Sequence, residues 1–433
     1  MKPNAKARTW LGTLLPAVAM TTLALAAPAA HAADQPIKIG VVTFLSGAPA
    51  GTFGIPVRDA AQAVAEELNG GKVPAPYATK GFGGAPIELS FIDESGGTTK
   101  QVTEYRNLVQ QQGVDVVIGY VSSGDCLAIA PVAEELKKLT VMFDCGTPQI
   151  FEEGSYKYVF RTGATGTMDS VAAAMYLKDR GIQVKKYAGI NQNYAWGHDS
   201  WNDFTASMKQ LFPDATISTE QFPKFLAGQY GAEISALLGS DAEVVHSSFW
   251  GGDTDALILQ GAARGLFQKK RVLLTVGEPQ LVKLGKQIPD GTIIGARGQF
   301  GDFAPDTPLN HWFRKAYTDR FKTQPTYPTY KMAHAILGVK AAYEKAQAAN
   351  GGQAPSQDQI IAAFEHMSWE GPGGEVKLSL GKGHQAAYGT AYGTVKQVDG
   401  KTTLADVVYY KADQVTPPEG VKSQDWINSG FKR

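Results

Sequence analysis

The chain has 433 residues, and its 41 basic and 41 acidic side chains balance. This length is enough for two domains of ordinary size. The balanced charge argues against nucleic acid or an anionic membrane surface as a partner.

The first 33 residues read as a secretory signal peptide. A basic start with Lys2, Lys6 and Arg8 precedes an apolar stretch over residues 10–27 and the small-x-small triplet "AHA" at 30–32. An uncleaved membrane anchor is the alternative, although the stretch is short and rich in alanine for a stable span. Removing the signal leaves 38 basic against 41 acidic residues. We therefore expect an exported soluble protein of about 400 residues in a bacterial periplasm.

The first half of the mature chain alternates buried-strand patterns with amphipathic helical patterns. Strands are predicted at 37–44, 87–95, 114–120 and 139–145, and helices at 57–69, 99–111 and 127–138. This order is typical of a parallel sheet covered by helices on both faces.

The same alternation of strand and helix patterns returns in the second half, and the pattern changes after residue 307. Strands are predicted at 158–163, 185–193, 215–222, 242–250 and 271–277, and helices at 168–181, 198–212, 231–240 and 253–265. Long helices follow at 308–321 and 327–347, and the "DG" at 399–400 joins two short alternating segments into a predicted hairpin. The fold class is therefore α/β, with a second copy of the first architecture.

Local signatures of catalysis are missing from the sequence. There is no GxxxxGK[ST], HExxH, CxxC or GxSxG, and no GxGxxG follows the first strand. No two histidines stand at metal-ligand spacing. A catalytic triad need not be local in sequence, but the pattern favours a binding module without cofactor or metal over an enzyme.

Polar and aromatic residues follow the predicted strands, where open parallel sheets bind their ligands. The turn "SSGD" at 122–125 leads into a helix, and a helix start suits an anion such as a carboxylate. The alternative is an ordinary N-cap, because Ser and Asp are preferred capping residues. The candidates after the strands are Phe53, Ser122, Ser123, Gly146, Thr147, Tyr194, Trp196, Phe249, Trp250 and Glu278.

Cys126 and Cys145 are the only two cysteines. In an oxidising compartment an isolated pair is more often a disulfide than a metal site. Each cysteine lies at the top of one of two successive strand units, so we predict a disulfide between them. Two buried free thiols are the alternative.

The segments "VIGYVSSGDCLAIAPVAEE", "NQNYAWG" and "TVGEP" give the chain a family resemblance. It resembles the type I periplasmic binding proteins of ABC transporters over essentially the whole mature chain, in particular the branched-chain amino acid (Leu/Ile/Val) binding family. The resemblance implies two doubly wound parallel-sheet lobes joined by a hinge. It places residues 34–160 and 297–370 in lobe 1, and 161–296 and 371–433 in lobe 2. The crossings are expected near Arg161–Thr162, Gly295–Gly298 and Trp369–Gly374.

The resemblance also implies roles for the candidate residues. The family binds a ligand carboxylate at turns that correspond to Ser122, Ser123, Gly146 and Thr147. Its pocket aromatics fall on Phe53, Trp196 and Trp250, and the acid that pairs with the ligand's ammonium falls on Glu278. Asp125 and Asp144 depart from the family pattern, because they put acids close to the expected carboxylate site.

The resulting hypothesis is the periplasmic substrate-binding component of an ABC importer. It would capture a small carboxylate-bearing solute, an amino acid first, by hinge closure, and deliver it as a monomer to an inner-membrane permease. An aromatic carboxylate stacked on the tryptophans, or a cation caged by them, are alternatives. An exported enzyme or the ligand-binding domain of a receptor is the alternative of another class.

Overall fold

The computed structural model describes residues 35–433; the predicted signal peptide lies outside the described residues. Fifteen strands are described: β1 Ile37–Thr43, β2 Ile87–Asp93, β3 Val116–Gly119, β4 Thr140–Met142, β5 Val159–Arg161, β6 Lys186–Ile190, β7 Thr216–Gln221, β8 Val244–Ser247, β9 Arg271–Leu274, β10 Ile293–Gly295, β11 Ser368–Gly371, β12 Gly374–Leu380, β13 Gln385–Ala387, β14 Thr390–Val398 and β15 Lys401–Tyr410.

The α-helices of the described residues alternate with these strands. They are α1 Ile55–Gly70, α2 Thr98–Gln110, α3 Ser123–Glu135, α4 Gln149–Glu152, α5 Gly166–Asp179, α6 Ala195–Leu211, α7 Gly231–Gly239, α8 Gly252–Ala263, α9 Leu266–Lys269, α10 Glu278–Lys283, α11 Pro308–Phe321, α12 Tyr327–Ala349, α13 Gln357–Phe364, α14 Ala412–Val415 and α15 Ser423–Asn428.

Two mixed sheets, each with its own helices, form two lobes, which confirms the predicted α/β class. The first sheet has the order β11-β12-β13-β5-β4-β3-β1-β2. Its strands from β5 to β2 run parallel, and β11, β12 and β13 pair antiparallel at the other end. The second sheet has the order β15-β14-β10-β9-β8-β6-β7, with an antiparallel hairpin of β14 and β15 at one edge.

The chain passes between the lobes three times. The first passage lies between β5 and α5, and the second follows β10. The third lies at Tyr388–Gly389, between β13 of the first sheet and β14 of the second. We expected this passage near Trp369–Gly374. Residues 371–387 therefore belong to the first lobe and not, as predicted, to the second. The difference arises because β13 pairs with β5 at Gln385 and Arg161, far apart in sequence.

The predicted elements fall close to the described ones. The helix predicted at 308–321 has these bounds as α11, and the "DG" at 399–400 turns the β14–β15 hairpin. The strands without a sequence prediction are β10 to β13, of which β10 has three residues and β12 has seven. Among residues 35–433, no helix combines the length and the apolar character needed to cross a membrane.

Candidate ligand-binding site between the lobes

A small cavity lies between the lobes, where strands of both sheets end. Six strands lead into its wall: β3, β4, β6, β8, β9 and β10. This is where open α/β sheets bind ligands. The cavity is lined by Phe53, Val121, Asp144, Gly146, Tyr194, Trp196, Trp250, Val276, Arg297 and Tyr327.

The two lobes are closed onto each other across this cavity. The ring of Phe53 in the first lobe lies 5.2 Å from that of Trp250 in the second, and 5.4 Å from that of Tyr327. The remaining volume is about 20 Å³, room for a water molecule. Small-molecule pockets usually measure roughly 300 Å³ or more. A solute can therefore enter only if the lobes part.

Polar contacts at both ends of the cleft hold the closed arrangement. At one end, Thr147 Oγ1 and Gln149 Nε2 donate to the carboxylate of Asp199, at 2.6 and 2.9 Å. At the other end, Lys283 Nζ donates to Thr52 Oγ1 at 2.9 Å and to Asp255 at 2.6 Å. The two bonds to Asp199 and the bond from Lys283 to Thr52 join the first lobe to the second, whereas the bond from Lys283 to Asp255 lies within the second lobe.

Four buried charges lie at one side of the cavity. Lys331 Nζ lies 2.7 Å from Asp144 Oδ1, and Arg297 Nη1 lies 2.7 Å from Asp169 Oδ2. Arg297 Nε lies 3.5 Å from Asp144 Oδ1, so Arg297 joins the two pairs. All four side chains are at most 3% exposed. Two cations and two carboxylates compensate each other, as buried charges require.

Burial changes the pKa values within this cluster. It lowers the pKa of Lys331 to about 8, and the nearby positive charge of Arg297 acts in the same direction. It raises the pKa of Asp169 to about 6 against the opposing effect of Arg297. Burial alone would lower the pKa of Arg297, but Asp169 and Asp144 raise it above its usual value. The Arg297 guanidinium therefore stays charged beside the cavity.

The aromatic wall is fixed by its own hydrogen bonds. Trp196 Nε1 donates to Ser248 O at 2.7 Å, and Trp250 Nε1 donates to the hydroxyl of Tyr194 at 2.7 Å. The Arg297 guanidinium lies 4.7 Å from the centre of the Trp196 ring. Gly146 is required here, because a Cβ at this position would lie 2.2 Å from that ring.

The turn "SSGD" acts as a helix cap in this structure. Ser122 accepts a hydrogen bond from Asp125 N at 3.4 Å. The backbone N–H groups of Val121 and Ser122 both donate to the carboxylate of Glu94, at 2.8–3.0 Å. An internal carboxylate thus occupies donors that could hold an anion. Burial, followed by the charge of Asp125, raises the pKa of Glu94.

Ser123 and Thr147 meet each other behind the cavity wall. Ser123 Oγ accepts from Thr147 N at 3.2 Å. Neither residue lines the cavity, and Ser122 does not line it either. The structure therefore brings the two predicted carboxylate donors together, and the Thr147 hydroxyl donates to Asp199.

Glu278 begins α10 and does not line the cavity. Its Oε2 accepts from Tyr327 N at 2.8 Å, which caps the start of α12. Burial raises the pKa of Glu278 to about 8. In this arrangement the side chain links α10 to α12.

A disulfide joins Cys126 and Cys145. It ties the first turn of α3 to the loop after β4, which carries Asp144 and Gly146. The bond thus fixes one edge of the cavity wall.

The candidates Phe53, Gly146, Tyr194, Trp196 and Trp250 line the cavity, and Phe249 does not. The sequence reasoning gave no ligand role to Arg297 and Tyr327, which also line the cavity, or to Lys331, which pairs with Asp144. Arg297 follows β10, a three-residue strand that the apolar pattern did not reveal. Tyr327 and Lys331 lie in the first turns of α12, and no strand-end rule points to a helix there. Among the described residues, no group of three or more His, Cys, Asp or Glu side chains is placed to hold a metal ion.

Comparison with known proteins identifies three relatives that match most of the chain. A homologue of Leu/Ile/Val-binding proteins from Brucella melitensis is 24% identical over 385 residues, which cover 86% of each chain. A solute-binding protein of a Rhodopseudomonas palustris ABC transporter, solved in complex with benzoate, has a TM-score of 0.72 at 20% identity. The match covers 89% of this chain and 99% of the benzoate-binding protein. A leucine-binding protein from Thermotoga maritima has a TM-score of 0.71 at 19% identity, and the match covers 86% of this chain and 98% of the other.

These relatives are solute-binding proteins, and the solved ones share the two-lobed fold. Residues 36–401, most of the chain, match the sequence profile of periplasmic binding proteins. Together with two lobes that close over a cavity at their strand ends, this match shows that the chain belongs to the periplasmic binding protein family.

Proposed function

We propose that the chain captures an amino acid with an apolar side chain and supplies it to an ABC importer. The observation that carries this proposal is the pair Asp144 and Arg297 in the wall of an otherwise aromatic and aliphatic cavity. A zwitterion needs both an acceptor for its ammonium and a donor for its carboxylate. Burying either charge without a partner is prohibitive.

The two charged groups suit the two ends of an amino acid. Asp144 would accept from the ammonium. Arg297 Nε is buried without a hydrogen-bond partner and would donate to the carboxylate. Ser123 and Thr147 remain predicted donors to the same carboxylate, and the Thr147 hydroxyl would have to give up its bond to Asp199 for it. The five rings of Phe53, Tyr194, Trp196, Trp250 and Tyr327 would surround the apolar side chain.

Hinge closure would couple capture to delivery. Contacts at both ends of the cleft already join the lobes, and a solute bridging the same gap would stabilise the closed form. An inner-membrane permease would recognise that form and receive the solute from a monomeric protein exported by its signal peptide. The protein would release the solute chemically unchanged, as a binding protein without enzymatic activity.

An aromatic carboxylate is the second candidate, and the five rings around the cavity favour it. A benzoate-like acid could stack between tryptophans and place its carboxylate on Arg297. Asp144 separates the candidates, because its charge attracts an ammonium and repels an acid that lacks one.

Mass spectrometry of solute released by denaturing the purified protein would identify what it carries. Isothermal titration with leucine, phenylalanine, benzoate and phenethylamine then tests the charge requirement. We expect the two amino acids to bind at least tenfold more tightly than either single-charge compound. Tighter binding of benzoate would replace the proposal by the second candidate, and tighter binding of phenethylamine would favour a cation.

A further inference from the structure

A second cavity lies at the hinge, outside the site between the lobes. Its volume is about 250 Å³, enough for a small organic molecule. The first lobe contributes Phe151 in α4 and Leu380 at the end of β12, and the second lobe contributes the segment 417–422 between α14 and α15. The wall therefore belongs to both lobes.

Arg161 ends β5 and lies in the wall of this hinge cavity. Its side chain is fully buried. Nε donates to Gln385 Oε1, and Nη1 donates to Cys145 O at 3.1 Å. Nη2 has no hydrogen-bond partner. A buried guanidinium nitrogen without an acceptor is costly, so this position suits an anion.

A second unsatisfied donor lies in the same wall. The hydroxyl of Thr165, at the start of α5, is buried and has no hydrogen-bond partner. It makes no capping bond to its own helix either. Two orphaned donors, one of them cationic, thus share one cavity wall.

The acids around the cavity have other partners. Glu152 Oε1 accepts from Ser423 N at 2.9 Å, and Glu419 Oε1 accepts from Lys382 N at 2.7 Å. Counting the exposed Lys382 and Lys422, the wall carries three cations and two carboxylates. Burial, helped by the charge of Arg297, lowers the pKa of Arg161 to about 9. One negative charge would balance the site.

The rest of the wall is apolar enough to hold the body of an organic ligand. Pro148, Phe151, Leu380, Pro417, Pro418 and Val421 line it. The wall would therefore discriminate between an inorganic anion, which gains nothing from apolar contact, and an organic acid, which does.

We propose that the hinge cavity binds a small organic monocarboxylate. The carboxylate accepts from Arg161 Nη2 and Thr165 Oγ1, and its apolar body packs against Phe151 and the prolines. Because both lobes form the wall, bound carboxylate also favours the lobe arrangement in which the cavity exists. This site is distinct from the solute cavity between the lobes and does not depend on the function proposed above.

Crystals of the mature protein soaked in 4-bromobenzoate test the assignment, because bromine gives an anomalous signal at each occupied site. We expect a peak in the hinge cavity whether or not a second peak appears between the lobes. Isothermal titration of 4-bromobenzoate then compares Thr165→Val with Thr162→Val. Both substitutions remove a buried hydroxyl without a partner, but Thr162 does not line the cavity.

Thr165→Val should weaken binding at the hinge by about fivefold or more and reduce the bromine peak there, whereas Thr162→Val should leave both unchanged. Lys422→Gln should weaken binding about twofold and lower its salt dependence. Arg161→Lys should abolish the hinge peak. If this variant fails to fold, the comparison of Thr165→Val with Thr162→Val still tests whether the carboxylate binds in the hinge cavity. Absence of a hinge peak in wild type, or equal occupancy and affinity in wild type and Thr165→Val, would overturn the proposal.

Discussion

The two lobes contribute different chemistry to the cavity between them. The first-lobe wall carries the charge: Asp144 lies in it and is held by Lys331 of the same lobe. The second-lobe wall is made of rings, and the indole N–H groups of Trp196 and Trp250 are bonded within that lobe. Arg297, at the second passage between the lobes, contacts both walls, through Asp144 and through the Trp196 ring.

This division gives the two lobes different tasks: the charge orients the solute, and the rings supply contact area. A fixed charge in one lobe can orient a solute before closure, while the rings of the other lobe gain contact only as the cleft closes. Changes in the first-lobe wall should therefore alter which charges a solute must carry. Changes in the second-lobe wall should alter how tightly any solute of the right size is held.

Asp144→Asn tests the first-lobe wall and should have the largest effect. It leaves Lys331 without its charged partner, which should cost about 3–5 kcal/mol of unfolding free energy. Affinity for leucine should fall by about 2–5 kcal/mol, because the ammonium loses its acceptor. Denaturant unfolding and isothermal titration measure the two quantities.

Asp169→Asn is the matched control, because Asp169 pairs with Arg297 but does not line the cavity. It should cost similar stability and much less affinity. Equal affinity losses in the two variants would mean that Asp144 acts only by holding the fold together.

Loss of the disulfide tests how firmly the first-lobe wall is held. Its cysteines are 19 residues apart, and closing a loop of that length contributes about 3 kcal/mol. The double variant Cys126→Ala, Cys145→Ala should unfold at correspondingly lower urea concentration. A reductant should lower the midpoint of the wild type and leave that of the double variant unchanged. A wild type insensitive to reductant would contradict the bond.

The sequence could predict strands β1 to β9, the β14–β15 hairpin, most helices and the positions that follow the predicted strands, because apolar periodicity and strand ends are local properties. Five candidate positions, four aromatic residues and one glycine, accordingly line the cavity. It could not predict which distant group satisfies each polar atom. Glu94 lies 27 and 28 residues from the N–H groups that it accepts from, and Glu278 lies 49 residues from Tyr327. Such partners are set by packing between elements, and they decide whether a polar side chain faces a ligand or the protein.

Glu278→Gln tests the position of an acid that belongs to neither wall. Burial raises the pKa of Glu278 from its usual 4.5 to about 8. Between these values the folded protein retains a proton that the unfolded chain has lost. The stability due to this group is therefore fully present below pH 4.5 and is lost as the pH rises through 8.

Glutamine keeps an oxygen for Tyr327 N and removes the titration. The difference in unfolding free energy, variant minus wild type, should rise between pH 5 and 8 by at most about 1.4 kcal/mol per pH unit. A flat difference would place an ionised Glu278 in the folded protein. A tenfold loss of leucine affinity in this variant would restore the role that the family resemblance implies for Glu278.

Tyr194→Phe tests the second-lobe wall and should have the smallest effect. The substitution keeps the ring and removes the oxygen that accepts from Trp250 Nε1 at 2.7 Å. An indole N–H left buried without a partner costs about 1 kcal/mol or somewhat more, so the melting temperature should fall slightly. If the rings act as a surface without charge preference, affinities for leucine and benzoate should fall by the same factor, about fivefold.

Tyr187→Phe is the control, because that ring packs on Trp201 and Phe204, away from the cavity. A loss of affinity confined to leucine in Tyr194→Phe would show that the second lobe also discriminates by the charge of the solute. That result would contradict the division of tasks between the two walls.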